Sequence, residues 1–578
     1  MVMRLSSVLV MLVATAWMSP VAAADVRREE IGSLILENVD PPAATTVERL
    51  NRYLEARGAT LLGWSPNGAL LVRTRFGATE QLHEVRQALG TRRQLTYFSE
   101  PIQEAVWSPD RGQAAIALLK DVGGDENYQI FLYRPAAGEA LGLTGGSARH
   151  TDPLWSRDGR QLAFAGTARN GVNFDIYIAQ PFEPAPPRLV LPTKEDYWRP
   201  LAWSPSGDHL LLASQRSINA SRLWLLDPAS GMLTEVDGGP TPAGRGDGTT
   251  RPALLSADGR GVFALSDRDS DFVALRHIDL DTGLSRSLTA HIPWDVEILA
   301  VAADGRHVAF VSNEDGASRL RLLDWPAGTE RAGPELADGT ITGLEFDPSG
   351  RRLAFSLETP RSPRDVWVYQ LDDGVLERWT QSEAGPVNAG QFVQPELIRY
   401  PTFDREGSQR RLIPAFVYRP HGAGPHPVLI VIHGGPEAQF RPGFDISFQF
   451  YVQELGYAVI APNVRGSAGY GKRFVDLDNG RLREDSVRDI GALLDWIDGE
   501  ADLDAKRVVV LGGSYGGYMV LASLVHYGPR LRGGVDIVGI SDFVTFLENT
   551  SGYRQDLRRI EYGDERDPQM RGFLREIS

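Results

Sequence analysis

The sequence predicts a seven-bladed β-propeller followed by an α/β domain built on a mostly parallel sheet. Three observations carry this reading. A short turn phrase recurs seven times between residues 64 and 350, at intervals of 43 to 52 residues. The rhythm stops after about Gln381, and longer units of apolar strand and amphipathic helix replace it. A Gly-x-Ser-x-Gly sequence lies between one of those strands and the helix that follows it.

Composition bounds the answer first. Across 578 residues, 42% are hydrophobic and 23% charged, which suits a soluble globular chain with a large core. The net charge of −15 gives no broad electrostatic case for a nucleic-acid partner. There is no cysteine, which excludes disulfides, Cys-ligated zinc or iron–sulfur sites and thiol catalysis. No cofactor or metal ion is expected.

Residues 1–24 carry one positive charge, Arg4, then an apolar run from Leu5 to about Trp17, then Pro20-Val-Ala-Ala-Ala24. This is the order of a secretory signal peptide. The run is short for the roughly 20 apolar residues of a spanning helix. The expectation is a bacterial protein that is periplasmic or secreted, with no membrane partner once the signal is cleaved. Residues 25–57 form a lead-in, with an amphipathic helical stretch from Val47 to Arg57.

Residues 58–384 are assigned to the propeller. The phrase begins Trp64-Ser-Pro-Asn-Gly, Trp107-Ser-Pro-Asp, Trp155-Ser-Arg-Asp-Gly and Trp203-Ser-Pro-Ser-Gly. It degrades to Leu255-Ser-Ala-Asp-Gly, Val301-Ala-Ala-Asp-Gly and Phe346-Asp-Pro-Ser-Gly. Proline fixes φ, Asp or Asn accepts local hydrogen bonds, and glycine supplies positive φ. Short apolar strands follow, as at Gln161-Leu-Ala-Phe and Arg352-Leu-Ala-Phe. A period of 40–50 residues with several short strands per copy indicates propeller blades. The tryptophans are read as wedges in the blade core rather than as a ligand-stacking platform.

Residues 385–578 are assigned to the α/β domain. Val428–Ile432, Tyr457–Ala461, Arg507–Leu511 and Val535–Ile540 are apolar runs of the kind found in doubly buried parallel strands. Val487, Ile490, Leu493, Leu494 and Ile497 mark one helix face. Gly512-Gly-Ser-Tyr-Gly516 follows its strand and opens a helix, which is the setting of a nucleophile elbow in an α/β-hydrolase. The strained turn lifts the Ser514 hydroxyl above the sheet. Gly512 and Gly516 avoid side chains that would collide there, and the Tyr515 N–H points at a developing oxyanion. The loop His433-Gly434-Gly435-Pro436 directly follows a strand, where hydrolases place the oxyanion side of the site. His433 itself is not taken as the base, because the base of this fold follows the serine. Gly466 to Arg473 nearly spells a phosphate loop, but Arg473 stands where the Mg²⁺-binding hydroxyl is required.

Propeller plus hydrolase, His433-Gly-Gly-Pro, Arg465-Gly-Ser-Ala-Gly-Tyr470-Gly and Gly512-Gly-Ser-Tyr-Gly-Gly-Tyr518 together resemble the prolyl oligopeptidase family of serine peptidases. The dipeptidyl-aminopeptidase and acylaminoacyl-peptidase branches are the most similar. The resemblance implies that Ser514 is the nucleophile and that the Tyr470 hydroxyl joins the Tyr515 N–H as an oxyanion donor. It implies a propeller that caps the site and admits only oligopeptides or small unfolded segments.

The chain departs from that pattern in its base. Of ten histidines only His526 follows Ser514, twelve residues on. Twelve helical residues rise about 18 Å, out of hydrogen-bond reach. Asp542 stands just past a strand, where some hydrolases place the triad acid, whereas the resembling family takes its acid from a later strand. The hydrolase part is therefore expected to be incomplete at its C-terminus, with the triad Asp and His beyond Ser578 and little or no turnover by the 578-residue chain. Tyr515, Tyr518, Phe543 and Tyr553 are candidates for lining the substrate pocket. The alternatives are a non-catalytic propeller binding protein with a remnant hydrolase domain, and a carboxylesterase. Cleavage preference and oligomeric state are not legible in the sequence.

Overall fold

The computed structural model describes residues 26–32, 34–236 and 250–578. The segment 1–24, which the sequence reading assigns to a signal peptide, lies outside the described residues. Up to Asn51 the chain forms its own compact unit: a hairpin of Arg28–Ile31 with Leu34–Glu37, and the start of a helix, Ala44–Leu54. Arg52–Ser578 is the second unit and holds both the propeller and the hydrolase.

Seven four-stranded antiparallel sheets follow one another along the chain from Ala59 to Arg378. Each is a plain meander, and its first strand ends at the start of the turn phrase, for example Ala59–Trp64, His150–Trp155 and Tyr197–Trp203. The phrase folds as its chemistry requires. Gly68, Gly159, Gly207, Gly259, Gly305 and Gly350 all have φ between 70° and 80°. The serine hydroxyl closes the turn by accepting from the backbone, as from Ala69 to Ser65 (3.0 Å), Gln161 to Ser156 (2.9 Å) and His209 to Ser204 (2.9 Å).

Three of the four indoles of the phrase, those of Trp64, Trp155 and Trp203, bind one blade to the one before it. Trp155 Nε1 donates to the Val106 carbonyl at 3.1 Å, and Trp203 Nε1 to that of Leu154 at 3.2 Å. Trp64 Nε1 donates to the Glu345 carbonyl of the seventh blade at 3.1 Å. Among the described residues no strand is exchanged to close the ring. The first blade packs on the seventh through an apolar cluster that includes Leu61, Trp64, Val72, Ala354, Val366 and Trp379.

The hydrolase sheet has six strands: β1 (Glu396–Glu406), β2 (Gln409–Tyr418), β3 (His426–Ile432), β4 (Ala458–Pro462), β5 (Leu503–Gly513) and β6 (Gly533–Ile537). Their order across the sheet is β1-β2-β4-β3-β5-β6. The β4-β3-β5-β6 core is parallel, and the β1–β2 hairpin, which the apolar-run pattern did not reveal, adds two antiparallel strands. Helix α1 (Ile446–Leu455) covers one face with Phe448 and Val452. Helices α2 (Arg483–Asp498) and α3 (Tyr515–Tyr527) cover the other with Val487, Ile490, Leu494 and Met519. Three helices complete the chain: α4 (Phe543–Asn549), α5 (Gly552–Tyr562) and α6 (Pro568–Glu576).

One strand differs from expectation. The run Val535–Ile540 reads as doubly buried, yet β6 ends at Ile537, and Val535 and Ile537 are 46% and 50% exposed. Among the described residues β6 pairs only with β5 as the edge of the sheet, and α3 covers the face opposite to Val535 and Ile537.

Candidate active site

Ser514 joins β5 to α3 with φ 55° and ψ −119°. A non-glycine residue at such angles is strained and needs surroundings that enforce it. Here the Ser514 N–H donates to the Ile537 carbonyl at 2.9 Å, and the Ser514 carbonyl accepts from Gly517 at 2.9 Å. A Cβ on Gly512 would run into the backbone of Gly516. A Cβ on Gly516 would run into the carbonyl oxygens of Ile432 and His433. The elbow is therefore held against the loop after β3 by glycines that allow backbone-to-backbone contact.

That loop flanks the serine closely. A Cβ on Gly434 would sit 3.4 Å from Ser514 Cβ and 3.9 Å from the Tyr515 nitrogen. The His433 ring is occupied at both nitrogens, Nδ1 with the Gly434 carbonyl and Nε2 with the Ser467 hydroxyl, each at 2.8 Å. Burial pushes its pKa down to about 4, so the imidazole is neutral at pH 7. The Gly435 carbonyl is fixed in turn by the Tyr562 hydroxyl at 3.0 Å and Arg558 Nη1 at 3.2 Å.

Tyr470 lies elsewhere in its contacts. Its hydroxyl accepts from Asn463 Nδ2 at 3.0 Å, and its ring packs against Phe474 and Trp294. Burial raises its pKa to about 12. Among the described residues no hydrogen bond joins it to Ser514 or Tyr515. The structure brings Ser514, Tyr515 and the His433–Gly435 loop together, and leaves Tyr470 in a polar cluster with Asn463 and Gln439.

No histidine is hydrogen-bonded to Ser514 among the described residues. His526, at the end of α3, pairs with Glu484 at 2.9 Å. Asp542 caps α4, its Oδ1 accepting from Thr545 N at 2.8 Å. These hydrogen bonds hold its carboxyl below the usual range. Among the described residues, no group of three His, Asp or Glu could hold a metal ion.

A cavity of about 520 Å³ opens beside Ser514, lined by residues 538–562 of the edge-strand loop, α4 and α5. Its aromatic walls are Phe546 and Tyr562. Three of the aromatics expected there are instead core. Tyr515, Tyr518 and Phe543 are buried, because the first turn of α3 faces the core and Phe543 packs on Tyr518 and Tyr562 at ring distances of 4.8 and 5.3 Å. The Tyr515 hydroxyl donates to Asp478 Oδ2 at 3.0 Å and meets Ser486 Oγ at 2.7 Å, beneath the elbow. Asp478 belongs to a buried ion cluster with Arg483 (2.6 Å) and, through it, Glu561 (2.6 Å). Tyr553 packs edge-on against Phe174 of the propeller at 5.5 Å.

Comparison with known proteins matches residues 442–574 to the prolyl oligopeptidase family and residues 163–364 to the dipeptidyl peptidase IV N-terminal region. Dipeptidyl aminopeptidase BIII of Pseudoxanthomonas mexicana is 26% identical over 481 residues, covering 78% of this chain and 65% of that protein. The uncharacterized peptidase YuxL of Bacillus subtilis is 25% identical over 534 residues, covering 84% of this chain and 73% of that one. The chain thus spans less than two thirds of the aminopeptidase's length. A solved prolyl endopeptidase superposes with a TM-score of 0.80 at 16% identity, covering 93% of this chain and 80% of that one. A puromycin hydrolase superposes with a TM-score of 0.78 at 18% identity, covering 92% and 84%. These two show a shared fold.

Proposed function

Because the chain belongs to the prolyl oligopeptidase family, we propose that it acts on oligopeptides as a serine peptidase, through an acyl-enzyme on Ser514. The observation that carries this is the strained, glycine-walled elbow with the His433–Gly435 loop packed against it. Ser514 Oγ attacks the scissile carbonyl, and negative charge develops on that oxygen. The Tyr515 N–H is one donor for it. The other is supplied by the backbone of the His433–Gly435 loop, packed against Ser514, or by the Tyr470 hydroxyl, which accepts from Asn463 and keeps its own proton to donate. His433 serves as a neutral spacer that fixes the loop through Ser467.

Attack needs a base that takes the serine proton. The base and its orienting acid are proposed to come from sequence beyond Ser578. Among the described residues no histidine is hydrogen-bonded to Ser514 and β6 pairs only with β5, and both observations support this. Loss of a triad base costs on the order of 10⁶ in kcat. The 578-residue protein is therefore expected to hydrolyse chromogenic peptide amides and esters at that much lower a rate than a complete relative. Extension by the following coding sequence is expected to restore turnover that Ser514→Ala abolishes. Turnover of the 578-residue protein at a relative's rate, abolished by the same substitution, would overturn the missing base. A genuine stop after codon 578 would favour the non-catalytic binding protein. Hydrolysis of esters alone by the extended protein would favour the carboxylesterase. The order of residues 1–24 supports export to the periplasm or medium, which cell fractionation tests.

A further inference from the structure

The cavity beside Ser514 is unevenly charged. Its lining includes two arginines from α5, Arg554 and Arg558, and one carboxylate, Asp542. The rest is neutral or apolar, with Val538, Ile540 and Phe546 among the apolar side chains. Asp542 is committed to capping α4.

Neither guanidinium is saturated. Arg558 makes one hydrogen bond, from Nη1 to the Gly435 carbonyl at 3.2 Å. Among the described residues the one carboxylate within 4 Å of it, Glu437, stands at 3.9 Å, too far for a hydrogen bond, and its other N–H donors have no partner there. Arg554 meets Glu126 of the propeller at 3.0 Å, but Glu126 also takes Arg149 at 3.1 Å, so one carboxylate answers two cations. The Gly435 bond places Arg558 one residue from the backbone that abuts Ser514. An arginine fork matches a carboxylate in two parallel hydrogen bonds, strongest where water is partly excluded. Both side chains are sheltered in part, at 44% and 33% exposure.

We propose that Arg554 and Arg558 make this cavity a carboxylate-binding subsite, so that the peptides taken up beside Ser514 are acidic. This rests on the serine-peptidase reading and names its substrate class. The shared chemistry is a peptide carboxylate, supplied by an acidic side chain or by a free C-terminus.

The test is binding, which needs no catalytic base. The 578-residue protein is titrated calorimetrically at low salt with three probes: acetyl-Ala-Ala-Glu-amide, acetyl-Ala-Ala-Gln-amide and acetyl-Ala-Ala-Gln with a free carboxylate. At least one acid is expected to bind about tenfold tighter than the neutral amide. The glutamate probe winning assigns the site to a side chain, and the free-acid probe winning assigns it to a C-terminus. Arg558→Gln and Arg554→Gln should each erase most of that preference. Arg558→Lys should keep part of it. Thermal melting of each variant separates loss of the subsite from loss of the fold. Equal binding of the three probes, or a preference that survives both Gln substitutions, overturns the carboxylate subsite and leaves the peptidase reading intact. Binding of none of them overturns both.

Discussion

His433 shows how little a residue type fixes its role. A histidine beside a nucleophilic serine invites assignment as a base, yet both its nitrogens are spoken for and its charge is suppressed. Its pKa falls from about 6.5 in an unfolded chain to about 4 in the fold. Between those values the unfolded chain binds more protons, so stability rises with pH across the window and is lost as pH drops from 6.5 through 4. His433→Gln, which keeps a hydrogen bond to Ser467, is expected to flatten that slope. Urea midpoints at pH 5 and pH 7 check it: the wild type should lose more on acidification than the variant, and equal losses would refute the assignment. Ser514 was legible because a five-residue motif between strand and helix specifies one strained turn. The pocket aromatics were not. Whether Tyr515 or Phe546 faces the cavity depends on how α3 is rolled against the sheet and α4 against its neighbouring helices, which adjacency to the serine does not reveal.

At the level of elements, the elbow is a contact between three backbones: the end of β5, the loop after β3 and the start of α3. Gly516→Ala forces a methyl group onto the Ile432 and His433 carbonyls. It is expected to cost about 1–3 kcal/mol in denaturant titrations. Gly528→Ala is the control, since a Cβ there meets nothing within 4 Å. That change should stay within about 0.5 kcal/mol. A Gly516→Ala protein as stable as the control would show that the loop is free to retreat. Element identity was legible wherever period and punctuation agreed, as for the propeller strands after each turn phrase and for α2. The β1–β2 hairpin was not. Its strands mix apolar and charged residues, because β1 is an edge strand and only part of β2 is buried. The exposure of β6 was hidden for the opposite reason. An apolar run records what a strand is made to bury, and α3 covers only the face of β6 that carries Gly534 and Asp536, leaving Val535 and Ile537 open on the other.

Across the whole second unit, one end of the propeller faces the hydrolase. The turns between the second and third strands of blades two to seven all reach it. Glu126 meets Arg554, Val172 meets Gly552, Asn219 meets Asp476, Asp271 meets Arg473, Asp315 meets Arg399 and the Pro360 carbonyl accepts from Gln449. The repeated turn phrases occupy the opposite end, where each blade's first strand turns into its second. Arg441 is the densest of these ties, bonded to Glu297 at 2.6 Å, the Gly316 carbonyl at 2.8 Å and Ser318 at 2.9 Å. Arg441→Met is expected to weaken this seat by about 1–3 kcal/mol. Limited proteolysis of the connecting segment 379–395 should then be several-fold faster, and an unchanged rate would show that the other ties suffice.

The sequence by itself determined the blade count, the parallel core of the hydrolase and the strained serine, since each is written in local patterns: a turn repeated at a fixed period, apolar runs of strand length, and glycines at fixed offsets from one residue. Only the tertiary structure decided which groups meet at the site. It set the His433–Gly435 loop against Ser514, bonded the Tyr470 hydroxyl to Asn463, and aligned two arginines of α5 along the cavity. Those choices depend on the angles at which distant elements pack, and no local pattern in the chain encodes such an angle.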